Sequence, residues 1–447
     1  MVSNSKPRSS SRRVWLIIGI VVAGLTAAGL FWLFDTAALD REMAALRSQG
    51  LPTNAQELNA FYIVPAGVND TTKLWTAAVS AVTAANISQR AAQLPVVGSG
   101  PTPVPEPGTE WAEQEACRTF LKELDQEIQA ILQAADAGGA ARFPADFSGG
   151  ANTLLPYAQE TRSISRLLTL NAHVHAHDGE DEQVLRNAKA IFAVSDALSG
   201  EPTMISQLVR IAVHTSGCQL AVQMLAHSKW TEEELKTLQM AIGHARFRQE
   251  MLNAFHGERA IFLDSGGTGS VSVGVGTVVL FRGANAMKAI ELFRMCTDGL
   301  AKSWSEAMRE QQEIDVQVKT MSSGSLSRLR FMTVMLLFPT VKPAVIAGAR
   351  AEARQNCALA TIAAHRFRLQ HGELPKSLAD IIAMMPGDLA DRPDRLTDPF
   401  DGLPLRFKSE DSRLLIYSVG DNLTDDGGIV DGKGSPLEGD LGYSIEE

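Results

Sequence analysis

The chain has 447 residues, of which 45% are hydrophobic and 21% charged, and its formal net charge is −10 at neutral pH. That size and balance describe a folded protein with room for two or three cores, and exclude a disordered tail. The acidic excess argues against nucleic acid or an acidic polymer as the main partner.

Residues 1–13 form a short basic tail carrying Lys6, Arg8, Arg12 and Arg13. Val14 to Phe34 follow as 21 residues without a charge, about the length that crosses a bilayer core of roughly 30 Å. The run is longer than a cleavable signal's apolar region and ends in the bulky FWLF, so it reads as an uncleaved anchor, with Trp15 and Trp32 at the headgroup levels. Cations ahead of the run and Asp35, Asp40 and Glu42 behind it place the N-terminus in the cytoplasm. The expected location is the inner, cytoplasmic membrane, single-pass, with the bulk extracytoplasmic.

Residues 35–94 are expected to hold a helical stalk to Gly50, a turn-rich stretch, and a helix from about Thr71 to Gln93. Five prolines and three glycines between Pro95 and Gly108 predict a linker over 95–108. A helical domain is expected over 109–340, with helices near 153–177, 183–198, 203–228 and 232–257. Asp178 to Glu180 separate the first pair, Gly200 and Pro202 mark the next junction, and Thr231 with Glu234 forms a capping box. Ile164, Leu167 and Leu168, and likewise Ile205, Leu208 and Ala212, have the spacing of helix faces expected to be buried against neighbouring helices. The Gly-rich stretch 265–283 reads as a loop or hairpin, followed by helix from Ala284 to about Met321 and from Leu326 to Phe338. Its glycines do not make a phosphate cradle, because no GK[ST] follows.

Over 341–447 a helix from about Lys342 to Gln370, closed by Gly372, leads into strand-like Leu405–Lys408 and Leu414–Val419, a predicted hairpin. The fold class expected is therefore mainly α: a transmembrane helix, a helical-hairpin body and a small α+β C-terminal module.

Cys117, Cys218, Cys296 and Cys357 never form a CxxC motif, so neither a thiol redox site nor a zinc knuckle is encoded. In an oxidising compartment they allow two disulfides by any of three pairings, whereas the apolar helical settings of Cys218, Cys296 and Cys357 favour buried thiols. GxSxG and HExxH are absent. His173, His175 and His177, beside Asp178, are the most metal-like cluster. On a helix His173 and His177 share a face while His175 points roughly 160° away, so at most two serve one ion.

The succession HGELP, DPFDGLPL, YSVG and DDGG over Ala353 to Ile445 resembles the C-terminal half of the major pseudopilins of type II secretion. In that family an aspartate-rich terminal loop holds calcium, which implies Asp421, Asp425, Asp426 and Asp431 as candidate ligands here. The spacing is not that of an EF-hand. Pseudopilins join their N-terminal helix directly to this module, whereas about 300 residues intervene here, which argues against filament assembly. The whole layout also resembles a group of bacterial single-pass membrane proteins without an assigned activity.

Together these readings predict a non-enzymatic, membrane-anchored scaffold or interaction protein of the cell envelope, with protein partners there. Two alternatives stand beside it. One is an accessory component of a type II secretion or type IV pilus-like machine, and the other is a metal-dependent hydrolase using His173 and His177.

Overall fold

The computed structural model describes Trp15 and residues 36–100, 102–265, 282–410, 413–428 and 439–446. The expected tail 1–13, the expected anchor 14–34 apart from Trp15, nearly all of the Gly-rich stretch 265–283, and Asp431 lie outside the described residues.

The chain is mainly helical and carries a three-stranded antiparallel sheet near its C-terminus. Residues 36–48 form α1, followed by α2 (Ala55–Phe61), α3 (Thr72–Ala85), α4 (Ile87–Arg90), α5 (Gln114–Glu123) and α6 (Asp125–Asp136). Four longer helices come next: α7 (Pro156–Asp178), α8 (Asp181–Ala197), α9 (Met204–Met224) and α10 (Glu232–Gly243). Then come α11 (Phe247–Asp264), α12 (Arg282–Lys302), α13 (Trp304–Met321), α14 (Ser325–Arg330), α15 (Met332–Leu337) and α16 (Val341–His371). The short α17 (Leu378–Ala383) and α18 (Gly387–Ala390) precede β1 (Arg406–Glu410), β2 (Arg413–Ser418) and β3 (Leu441–Glu446).

Several boundaries differ from the sequence expectation, each for a local reason. The turn-rich stretch after Gly50 contains α2, because Asn54 caps it by accepting from the Glu57 amide at 2.8 Å. The helix expected to reach Gln93 stops at Asn86, whose left-handed backbone (φ 50°) turns the chain into α4. The helix expected from Ala284 to Met321 divides at Ser303, an N-cap that accepts from the Glu306 amide at 3.1 Å. Val97, in the expected linker 95–108, is buried in the same core as α3 and α5–α10. A third strand, β3, pairs with β2 where only a hairpin was expected.

The helix expected over 232–257 breaks after Gly243 and resumes at Phe247, with Arg246 in a non-helical conformation. No proline or capping sequence causes it. The carbonyls freed by the break are taken up by side chains from distant elements: Ile242 by His214 Nε2 (3.1 Å) and Gln355 Nε2 (2.6 Å), Gly243 by Arg392 (3.1 Å) and Arg395 (2.9 Å), and Ala245 by Arg395 (2.9 Å). Buried carbonyls need such partners, and only the tertiary fold supplies them here.

Helix α16 passes through two cores. Val341, Val345, Ala349 and Ala353 pack with α9, α11–α13 and α15, while Cys357 to Ala364 pack with α3, α5–α10 and the sheet. Twenty of its 31 residues are buried, as expected of a helix without a solvent face. Its alanines and Gly348 let neighbours come close; a Cβ on Gly348 would lie 2.3 Å from the Trp304 ring. By length and composition Met332–His371 also suffices to cross a membrane, and its buried Gln355 and Arg366 bond to the α10 region.

Strand β2 lies between β1 and β3, with Ile416 opposite both Phe407 and Tyr443. Both β2 and β3 pack against α16. Asp398 of the DPFDG segment ties the preceding turn to the end of β2: its carboxylate accepts from the Phe400 amide (3.0 Å), the Val419 amide (2.9 Å) and the Ser418 hydroxyl (2.8 Å). Arg395→Ala is expected to destabilise the fold by about 3 kcal/mol, because it removes one of the two donors from each of the buried Gly243 and Ala245 carbonyls and takes the guanidinium away from Gln355 Oε1. Urea unfolding would show a lower midpoint, and a change below about 0.5 kcal/mol would refute the capping role.

Candidate functional site

The acidic loop follows β2. Five of its described positions have positive φ: Gly420 (68°), Leu423 (57°), Gly427 (78°), Gly428 (78°) and Gly439 (151°). Gly428 lies on the outer face of the sheet, where an added Cβ would come within 2.2 Å of Leu415 and 3.1 Å of the Tyr417 ring. Glycine is required there by both space and backbone conformation.

The candidate ligands separate within this loop. Asp421 is held by Arg350 on α16, whose guanidinium donates to one carboxylate oxygen at 2.6 and 3.0 Å. Asp425 accepts from the Tyr417 hydroxyl at 3.0 Å and the Gly427 amide at 2.9 Å. Asp426 accepts from the Asn422 side chain at 2.9 Å. Asp440, just before β3, is a member of this group that the sequence reading missed. It is buried, accepts from the Gly428 amide at 2.7 Å, and faces the Asp426 amide at 3.4 Å. Burial raises its carboxyl pKa, and the charges of Asp425 and Asp426 raise it further. Burial together with Asp425 pushes the Tyr417 hydroxyl up to about 12.

Calcium takes six to eight oxygens, and the fit of these residues to it is partial. Asp425, Asp426 and Asp440 share one end of the loop, Asp421 is paired with Arg350, and Asp431 lies outside the described residues. Among the described residues no three His, Cys, Asp or Glu side chains are grouped to hold a metal ion.

The histidine cluster sits on α7 as expected, and its members point to different surroundings. His173 is buried, and its Nδ1 has no hydrogen-bond partner. Burial lowers its pKa to about 4, with a further contribution from His177. His175 pairs with the Glu180 side chain at 2.5 Å, just past the end of its own helix. His177 meets the Pro105 carbonyl at 3.2 Å and lies against the Trp111 ring, 5.0 Å between centroids. The shared face of His173 and His177 is thus occupied by core and by the 95–108 segment.

Cys117, Cys218, Cys296 and Cys357 are all free and buried. Burial pushes the thiols of Cys117 and Cys296 up to about 11 and 12, which keeps them in the unreactive protonated form.

Two buried polar groups had no signal in the sequence. Glu201 accepts from the Tyr157 hydroxyl at 2.5 Å and the Ser206 hydroxyl at 2.8 Å, and burial raises its pKa to about 7. Arg210, fully buried, donates to the Ser195 carbonyl at 3.1 Å and pairs with Asp196 at 3.2 Å and with Glu250. Both groups join neighbouring helices.

A cleft lies where α1 meets the rest of the molecule, lined by Ala38, Glu42, Met287, Arg294, Arg330 and Phe331. Arg294 of α12 pairs with Glu42 at 2.7 Å across it.

No family model, no curated protein and no solved structure matches the chain.

The buried His173 makes a pH prediction. Its folded pKa is depressed from 6.5 to about 4, so the unfolded chain binds the extra proton in that window and this residue's contribution to stability falls as pH falls. In His173→Leu the unfolding free energy is expected to decline less steeply between about pH 6 and 4.5, by up to about 1.4 kcal/mol per pH unit. Equal slopes in chemical denaturation would contradict the placement of this ring.

Proposed function

We propose that the protein is a single-pass, membrane-anchored scaffold of the cell envelope, with its N-terminus in the cytoplasm and its body held outside as an interaction platform for other envelope proteins. The observation that carries this reading is the docking of α1. Residue 36, already helical, lies two residues beyond the apolar run that ends at Phe34. Leu39 and Leu46 of α1 are buried in one core with Leu263, Ala286 and Ile290, and the Glu42–Arg294 pair closes the same contact. These contacts hold α1 firmly against the body, which a flexible tether would not provide. A platform that must present one face to partners needs that constraint.

The C-terminal resemblance adds calcium as a separate part of the proposal. The support is the placement of Asp425 and Asp426 near the buried Asp440, which accepts from the Gly428 and Asp426 amides; burial first, and the two neighbouring charges after it, raise the Asp440 pKa. A cation at that end of the loop would lower it.

In native membranes the full chain is expected to resist alkaline extraction and to be digested from the extracytoplasmic side without permeabilisation. Release by alkali, or digestion only from the cytosolic side, would defeat the anchored reading. For calcium, the melting temperature is expected to rise with concentration as RT ln(1 + [L]/Kd) predicts, and Asp425→Ala with Asp426→Ala should remove the rise. A flat calcium titration of the unaltered protein would remove calcium from the proposal while leaving the anchor untouched.

A further inference from the structure

The segment α14–α15 is out of character with the rest of this acidic protein. From Val316 to Ala351 the chain has no Asp or Glu and carries Lys319, Arg328, Arg330, Lys342 and Arg350. Within eleven residues of that stretch three leucines face outward: Leu326 (72% exposed), Leu329 (44%) and Leu336 (55%). Exposed large apolar side chains concentrated beside cations are what an interfacial membrane segment presents, apolar groups toward the acyl boundary and basic groups toward phosphates.

The position of the segment agrees with its chemistry. Arg330 and Phe331, at the α14–α15 junction, line the same cleft as Ala38 and Glu42 of α1. The pair therefore lies at the end of the molecule where α1 enters from the apolar run. Its inner side is fastened to α12: Asn285 donates to the Arg330 carbonyl, and the Thr333 hydroxyl donates to Asn285 at 2.7 Å. Thr333 and Val334 are buried while Leu336 remains exposed, so α15 is held with Leu336 outward.

We infer that α14–α15 forms a second membrane contact, lying in the headgroup layer of the bilayer that residues 14–34 cross, with Leu326, Leu329 and Leu336 entering the interface and Arg328 facing anionic lipid headgroups. This rests on the anchored reading above and adds to it. A transmembrane helix alone leaves rotation about its axis and tilt of the body free, and a second contact beside it removes both freedoms. The extracytoplasmic face of the bilayer, and not a partner protein, is the occupant that the adjacent anchor supplies by proximity, and the absence of acidic residues matches its charge.

The test uses the full chain in phosphatidylcholine–phosphatidylglycerol vesicles, with Leu329→Cys carrying a polarity-sensitive fluorophore; the four native cysteines are buried. Leu369→Cys serves as the control, since that exposed residue lies near the far end of α16, about 40 Å along the helix axis. A lipid spin-labelled just below the headgroup is expected to quench the probe at 329 at least two-fold and to leave the probe at 369 unchanged. Absence of quenching at 329 in protein that still resists alkaline extraction overturns the inference and spares the anchor. Extraction of the protein by alkali overturns the anchor itself. A blue-shifted but unquenched probe at 329 assigns the patch to a protein partner or a second copy, and also overturns the inference.

Discussion

The structure depends on one buried helix that has to satisfy polar neighbours while touching apolar ones on every side. Helix α16 lends its first half to one core and its second half to another, so neither core closes without it. A wholly apolar helix in that place could slide or rotate with little penalty. Gln355 and Arg366 prevent this: Gln355 fills the carbonyl of Ile242, and Arg366 reaches Glu232 and Gln239 of α10. Asn356 holds the carbonyls of Asp394 and Thr397 at 2.9 and 3.1 Å. Hydrogen bonds buried among apolar contacts specify register because leaving them unmade is costly.

The same helix carries the C-terminal sheet and, through Arg350, the acidic loop. Asp421 is therefore a brace between loop and helix, while Asp425, Asp426 and Asp440 form the charged end. The DPFDG segment, distinctive in sequence, acts through Asp398 as the knot that fixes the end of β2. The buried histidines and thiols likewise serve packing; their lowered and raised pKa values keep them neutral inside the cores.

Near the N-terminal end of α16, helix α1, the α12 face and the α14–α15 pair meet around one cleft. If a bilayer lies beneath this end, the protein stands with α16 running away from it.

Local signals in the sequence were enough for the mainly helical class, the boundaries near Gly179 and Gly372, the Thr231–Glu234 capping box and the strand character of residues 414–418, because each depends on neighbours within a few positions. Ser303 with Glu306 was such a signal as well, and explains the division of α12 from α13. The break between α10 and α11, the third strand, the pairing of Asp421 with Arg350 and the joining of Asp440 to the acidic loop were decided only in three dimensions. Each relies on a donor, acceptor or strand partner separated by many residues, so no spacing rule can contain it. Composition alone marked the apolar run 14–34, whereas the setting of α14–α15 beside α1 appeared only once the chain had folded, since Ala38 and Phe331 stand 293 residues apart in sequence and only the cleft brings them together.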